Sequence, residues 1–163
     1  MPSAPRETVT KADAPGRLDL VVQYAAPRAG LPARRSLARW LGAAMARGAR
    51  ITVRFVGAAE GRRLNRDFRG RDYPTNVLTF VYSAARGGAL EGDIVLCAPV
   101  IAREARAQGV ARRARYAHLA VHGALHLQGY DHERGRDAAR MEAREGAILA
   151  RLGFGDPYGR RAG

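Results

Sequence analysis

The sequence predicts an α+β fold, in which a small mixed sheet is packed with about five helices in a single domain. Two observations support this prediction. Short apolar runs rich in β-branched residues alternate with segments whose apolar residues recur every three or four positions. The length of 163 residues also suits one domain with its own core. We predict the domain at 17–153, a loose tail at 1–16 and a short C-terminal tail at 154–163.

The first half of the chain contains three predicted strands and two predicted helices. LDLVVQYA (18–25) is an apolar run, and ITVRFV (51–56) alternates apolar with polar residues, as a half-buried strand does. Between them lies a helix with one buried face. The residues on that face are Leu37, Trp40, Leu41, Ala44 and Met45. A short helix (58–67), a loop (69–76) and the aromatic strand VLTFVY (77–82) follow.

The second half contributes one strand and three helices. After a Gly-rich connection (83–92), DIVLC (93–97) is predicted as a strand. Pro99 stands where a helix would begin. Two further helices are expected at about 112–127 and 134–152. The resulting order, β, α, β, α, β, β, α, α, α, indicates a mixed sheet with helices against it.

The chain is strongly basic, with a net charge of +13 from 28 basic and 15 acidic residues. A coding bias could explain why Lys11 is the only lysine, but it does not explain the surplus of basic over acidic groups. Such a surplus raises the local concentration of polyanions such as RNA. Acidic membranes are the other candidate partner, but the sequence contains no basic amphipathic helix to bind them.

Several features bear on the compartment. Cys97 is the only cysteine, so no internal disulfide can form, and this fits a reducing compartment. The first residues, MPSAPRETVTKADAPG, lack the apolar core of a secretory signal. No apolar run approaches the length of about 18 residues that a membrane span needs. We therefore expect a cytoplasmic protein with no membrane partner.

All four histidines lie within HLAVHGALHLQGYDH (118–132). His122 and His126 are spaced i, i+4, which places both imidazoles on one face of a helix. Gly129 can end that helix and turn the chain, which would bring His132 back towards the pair. Three such ligands with a fourth position open form a zincin-like His₃ metal site at the end of a helix. We predict one Zn²⁺ per chain, although nickel, copper or cobalt would also bind.

The neighbours of these histidines narrow the chemistry. His118, one turn before His122, is expected to pack or hydrogen-bond rather than bind the metal, and it is a weak candidate for an RNA contact. Asp131 could orient a ligand histidine, or simply shape the turn. Zinc proteases with the H-E-x-x-H motif carry their general base directly after the first histidine, where this chain has Gly123. Proteolysis by that mechanism is therefore not expected.

Several segments together resemble the bacterial YbeY family. VHGALHLQGYDH (121–132) resembles the family signature, and LNRDFRGRDYPTNVLTF (64–80) is similar to its second signature. EGDIVLC with Pro99 and its helix (91–109), and the helix at 134–152, resemble the remaining parts. The resemblance covers roughly 50–153.

Two positions depart from the family pattern. This chain has Thr79 where many relatives have Ser, and Gln128 where Leu is common. Neither residue is expected to touch the chemistry.

The resemblance implies a metal-dependent endoribonuclease that acts on single-stranded RNA. It further implies maturation of ribosomal RNA, notably at the 3′ end of the small-subunit RNA, and ribosome quality control. The small ribosomal subunit or its assembly factors would be the partners. By position the metal ligands would be His122, His126 and His132, and the functional arginine would be Arg69.

The sequence leaves the reaction itself open in two respects. A hydroxide on the metal or the ribose 2′-hydroxyl could attack the phosphorus, and no residue favours one over the other. A non-catalytic RNA-binding assembly factor with a structural metal is the alternative function, and a metallopeptidase is a less favoured one.

The arginines could bind the RNA backbone. A guanidinium is a planar fork of donors that suits phosphate oxygens, so Arg69 beside a metal could hold the scissile phosphate. From the residues alone, Arg69 would be interpreted as a solvated arginine of a loop. The family resemblance instead favours a functional role for Arg69. Arg71 is a weaker candidate. The arginine-rich segment 103–115 would extend an RNA track if it also flanked the cleft.

Aromatic residues could stack on unpaired bases. The candidates are Tyr73, Phe80 and Tyr130. Phe80 lies inside a predicted strand and is expected in the core. Tyr130, in the turn beside the predicted metal, is the preferred base-stacking residue.

Overall fold

The computed structural model describes residues 17–83, 89–130 and 135–158. These ranges form the predicted α+β domain, with four strands and five helices. In chain order they are β1 (Leu18–Ala25), α1 (Arg34–Ala44), β2 (Ala49–Val56), α2 (Ala58–Arg69), β3 (Val77–Ser83), β4 (Leu90–Cys97), α3 (Ala98–Gln108), α4 (Arg112–Leu127) and α5 (Gly135–Arg151). The predicted tail at 1–16, Asp131 and His132 lie outside the described residues.

The strands form one mixed sheet in the order β1-β2-β4-β3. β1, β2 and β4 run parallel, and β3 pairs antiparallel with β4 at the edge. Parallel neighbours require a crossover connection, and α1 supplies the one between β1 and β2. β1 and β3 are the two edge strands of the sheet. None of the helices in the described ranges is long and apolar enough to cross a membrane.

β2 is buried on both faces, which corrects the expectation of a half-buried strand. Thr52 is fully buried, although its polarity predicts a solvent-facing position. Arg54 is partly buried, and its guanidinium donates hydrogen bonds of 2.8 and 3.0 Å to the Glu60 carboxylate. A central parallel strand is covered by helices on both sides, so alternation of polarity is a weak guide to its burial.

α4 is the central helix of the main core. Its buried residues are Tyr116, Ala117, Leu119, Ala120, Val121, Gly123, Ala124, Leu125 and Leu127. Gly92 of β4 allows the end of this helix to approach the sheet closely. A Cβ atom at position 92 would lie 2.7 Å from the Phe80 carbonyl oxygen and 2.9 Å from Leu127 Cδ2. This packing fixes the end of α4 beside β3.

The end of α4 is also held by polar contacts. Gly129 has φ 99°, the left-handed conformation predicted for the turn after the helix. The Gln128 side chain donates to the carbonyl oxygens of Ala44 (2.8 Å) and Ala124 (3.0 Å). Its oxygen accepts from the Ala46 amide at 2.9 Å. These bonds join the end of α4 to the turn after α1.

The described part of the predicted C-terminal tail, residues 154–158, contacts the domain. The Phe154 amide donates to the Leu149 carbonyl at 2.8 Å. The Phe154 ring packs edge-on against Trp40, with ring centroids 5.8 Å apart. The sequence around 154–158 carries no sign of the contact with Trp40, because Trp40 is distant along the chain.

Candidate metal centre and basic cleft

α4 presents two histidines to a cleft at the sheet edge. His122 and His126 lie one helical turn apart near the end of α4. They open into a cleft of about 810 Å³. The described residues that line it are Asn65, Phe68, Arg69, Arg71, Tyr73, Thr75, Asn76, Val77, Leu78, Thr79, Phe80, His122 and His126. None of these described lining residues is acidic, so the cleft suits an anionic ligand.

Each of the two imidazoles is oriented through its Nδ1 atom. His122 Nδ1 lies 2.5 Å from Glu145 Oε2, and His126 Nδ1 lies 2.8 Å from Thr79 Oγ1. Partners of this kind fix the ring orientation of a histidine that ligates a metal. The donor chemistry therefore fits an ion that prefers imidazole, such as zinc.

The third predicted ligand, His132, belongs to 131–134, outside the described residues. Asp131 lies in the same segment. Within the described ranges, no three His, Cys, Asp or Glu side chains group closely enough to hold a metal ion. The described part of the site is therefore the histidine pair on α4 with its supporting partners.

Glu145 is a fully buried carboxylate at the back of the site. Burial alone would raise its pKa, but hydrogen bonds from His118 and His122, the charge of His122 and a hydrogen bond from Tyr158 outweigh it. The result is a pKa lowered to about 2. Glu145 thus remains an anion that accepts hydrogen bonds, and one of its two oxygens serves His122.

His118 is held by protein groups through both ring nitrogens. Arg115 Nη1, which can only donate, lies 3.0 Å from His118 Nδ1. Nε2 therefore carries the hydrogen, and it lies 3.3 Å from Glu145 Oε1 and 3.2 Å from the Tyr158 hydroxyl. With 13 % of its side chain exposed, His118 supports Glu145 in this arrangement. The geometry offers no ring nitrogen for the predicted RNA contact.

A polar chain continues from His118 to the cleft wall. Arg115 donates to Glu104 Oε1 at 2.9 Å and 3.2 Å. The same carboxylate accepts from Asn76 Nδ2 at 3.1 Å, and Asn76 lines the cleft. Arg115 is consequently part of the support behind the histidines. No other arginine of 103–115 is among the described lining residues either, and the RNA track along this segment stays a prediction.

Arg69 and Arg71 lie in the same cleft as the two histidines. α2 ends at Arg69, and Gly70, with φ 71°, turns the chain towards β3. Buried Asn65 anchors the following loop by donating to the Tyr73 carbonyl at 2.7 Å. Residues that are far apart in sequence thus line one cleft.

The aromatic residues of the cleft differ from the preferred prediction. Phe68 and Tyr73 are each 50 % exposed, and Phe80 packs edge-on against Phe68 with centroids 5.2 Å apart. Tyr130 packs partly buried against the main core. It lines a separate, smaller pocket with Gln128 and does not line the cleft described here. Phe68 and Tyr73 are therefore the most exposed aromatic side chains among the described lining residues of the cleft.

Two supporting residues were missed by sequence reasoning. Glu145 falls on the apolar stripe of α5 between Met141 and Ile148, and an acid in such a stripe is a signal for a buried partner. Thr79 contacts His126, a predicted metal ligand, although this residue was not expected to touch the chemistry. Since Ser and Thr both supply a hydroxyl, the departure from the family pattern preserves the contact.

The position of Gly123 argues against a protease site. A Cβ atom at 123 would lie 3.1 Å from Ile94 Cγ2, on the side of α4 that packs on the sheet. A side chain there would enter the core, and it could not act as a base in the cleft.

The fold and the site define an α+β protein whose paired histidines open into an arginine-bearing cleft. A family model described as Endoribonuclease YbeY matches residues 33–153, and the chain belongs to this family. The predicted family resemblance is thereby confirmed.

Individual relatives agree with the family match. A Burkholderia thailandensis protein named Endoribonuclease YbeY is 57% identical over 155 residues, which cover 90% of this chain but 36% of that protein. A Burkholderia pseudomallei protein of the same name is also 57% identical and covers 90% of this chain and 84% of its own length. A solution structure of TM1509 from Thermotoga maritima has a TM-score of 0.51 at 23% identity. It covers 87% of this chain and 99% of its own, and it supports the fold alone.

Proposed function

We propose that this protein is a metal-dependent endoribonuclease that cleaves single-stranded RNA. The observation that carries the proposal is the shared cleft, in which Arg69 and Arg71 lie with His122 and His126. Phosphate binding and metal binding would thus occur at one place. The relatives named endoribonuclease support the same reaction class.

The cleft provides for an unpaired RNA strand. Arg69 and Arg71 offer guanidinium donors to backbone phosphates, and Arg71 also donates to the Tyr73 hydroxyl at 3.1 Å. Phe68 and Tyr73 offer exposed ring faces for stacking. Stacking of this kind requires splayed bases, so the proposal favours single strands over duplexes.

The proposed metal is one zinc ion held by His122, His126 and His132. When bound, zinc supplies Lewis-acid polarisation of a phosphoryl oxygen. Glu145 and Thr79 orient the two described imidazoles. Arg69 would hold the scissile phosphate and stabilise the negative charge that gathers on it during attack.

The family membership and the charge of the chain support a proposal for the biological role. We propose that the substrate is ribosomal RNA, with maturation of the 3′ end of the small-subunit RNA and ribosome quality control as the processes served. The partners would be the small ribosomal subunit or its assembly factors, in the cytoplasm. The net charge of +13 supports a polyanionic partner.

The test compares the wild type with His126→Ala, Arg69→Ala and a matched control, Arg63→Ala. Arg63 is exposed on the same helix as Arg69 but is not among the described lining residues. Bound metal is measured by elemental mass spectrometry on untagged protein, and cleavage is followed on labelled single-stranded and duplex RNA. We expect one zinc per chain, lost only in His126→Ala, and cleavage lost in His126→Ala and Arg69→Ala.

Equal cleavage in all four proteins would refute the proposal and indicate a contaminating nuclease. RNA binding without cleavage in the wild type would instead support a non-catalytic assembly factor. A substrate with a single 2′-deoxyribose at the cut site separates the two possible nucleophiles. Uncut deoxy substrate indicates attack by the ribose hydroxyl, and cleavage indicates attack by water.

A further inference from the structure

The C-terminal residues 154–158 cross α5 directly behind the histidines. α5 presents Gly146 to this segment, and a Cβ atom there would lie 3.2 Å from the Asp156 carboxylate. Asp156 in turn accepts a hydrogen bond from the Tyr158 amide at 2.8 Å. The absence of a side chain at Gly146 thus leaves room for Asp156, which in turn holds the Tyr158 amide.

Tyr158 reaches the carboxylate that supports the predicted metal ligand. Its hydroxyl donates to Glu145 Oε1, while Glu145 Oε2 pairs with His122 Nδ1 at 2.5 Å. Its ring packs edge-on against His118, with centroids 5.5 Å apart. Since Glu145 is fully buried, it depends on these few protein donors for its orientation and solvation.

We propose that Tyr158 is a positioning residue for the metal centre, acting on His122 through Glu145. The inference rests on the proposed metal site at His122. Tyr158 lies beyond residues 33–153, the range matched by the family model. In this proposal, residues 154–158 contribute to the metal centre although they lie outside the matched range.

The contacts favour a specific role for the hydroxyl. Burial and the adjacent Glu145 carboxylate raise the pKa of Tyr158 above its ordinary range, so the hydroxyl keeps its proton and donates. With one Glu145 oxygen engaged by Tyr158 and His118, the other is directed at His122. Removal of a direct partner of a ligand histidine commonly changes metal affinity by about 10–100-fold, and Tyr158 acts through such a partner, so we expect an effect at the lower end of that range.

The test uses Tyr158→Phe, which removes the hydroxyl and keeps the ring. Tyr82→Phe is the matched control, because the Tyr82 hydroxyl donates to the buried Asp93 carboxylate at 2.6 Å. Gly146→Ala is a second variant that presses on Asp156 and leaves Tyr158 intact. Zinc affinity is measured on the full chain by chelator competition, and coordination by the visible absorption of bound cobalt(II).

We expect Tyr158→Phe to bind zinc about 10-fold more weakly and to alter the cobalt(II) spectrum, whereas Tyr82→Phe matches the wild type in both. Gly146→Ala should weaken zinc binding in the same direction, and it decides the question if Tyr158→Phe does not fold. Unchanged affinity and spectrum in the folded variants overturn the positioning role.

The same experiment separates this inference from the proposed function. If the wild type binds no zinc, or if His122→Ala binds it equally well, the metal site itself is wrong. If the wild type binds zinc and cleaves RNA while Tyr158→Phe is indistinguishable from it, only the role of Tyr158 fails.

Discussion

Replacement of Glu145 by glutamine tests the support behind the histidines. Glutamine keeps the size of the side chain but removes the negative charge that faces His118, His122 and Tyr158. Its NH₂ group also places a donor where the carboxylate accepts. We therefore expect a folded but less stable protein.

The expected loss follows from the pKa of the carboxyl group. The pKa of Glu145 falls from 4.5 to about 2 in the folded protein. At about 1.4 kcal/mol per pKa unit, this difference corresponds to about 3 kcal/mol of unfolding free energy at neutral pH. For a protein of this size the melting temperature should fall by about 10 °C.

The direction of the pKa shift also determines how the stabilisation by Glu145 depends on pH. A lowered pKa means that the stabilisation is complete above pH 4.5 and is lost as the pH falls towards 2. The difference in unfolding free energy between wild type and Glu145→Gln should thus fall to less than half of its value at pH 7 by about pH 3. Urea unfolding of the metal-free proteins, with chelator present, measures this gap at each pH.

Glu91→Gln provides the control, because Glu91 pairs with Arg50 at 3.1 Å and is 31% exposed. The Glu91→Gln substitution should lower the unfolding free energy by no more than about 1 kcal/mol. If Glu145→Gln is as stable as this control at pH 7, or if the gap stays constant down to pH 3, the reasoning about the buried carboxylate is refuted.

Three further predictions concern the cleft and its supports. Thr79→Val should weaken zinc binding by about 10-fold, because His126 Nδ1 loses its hydrogen-bond partner, whereas Thr79→Ser should retain the affinity of the wild type. Equal zinc affinities of the Val and Ser variants would contradict this prediction. Gly92→Ala should lower the unfolding free energy by about 1–3 kcal/mol, since the added methyl group would collide with the Phe80 carbonyl and Leu127. An unchanged midpoint of urea unfolding would be inconsistent with this packing. Arg71→Ala should lower the salt dependence of single-stranded RNA binding by about 0.7 in the slope of log K against log salt, and an unaltered slope would place Arg71 outside the RNA path.

Local patterns in the sequence determined much of this protein. The i, i+4 spacing of His122 and His126 and the turn at Gly129 depend only on nearby residues, and both agree with the structure. The predicted α4 at 112–127 matches its observed bounds. The predicted start of β4 was wrong, because β4 begins at Leu90 and not at 93, whereas its predicted end at Cys97 agrees with the structure. Strand ends depend on pairing with a neighbour, and the sequence of one strand does not contain that information.

Only the tertiary structure decided which residues support the site. His122 and Glu145 are 23 residues apart, and Thr79 and His126 are 47 apart. Their contacts depend on how α5 and β3 pack around α4, which no local spacing encodes. The same packing buries Thr52, directs Tyr130 away from the cleft and brings residues 154–158 behind the histidines. The periodicity of a sequence indicates which face of one helix or strand is buried. The hydrogen-bond partners of a polar side chain depend on how the helices and strands pack together.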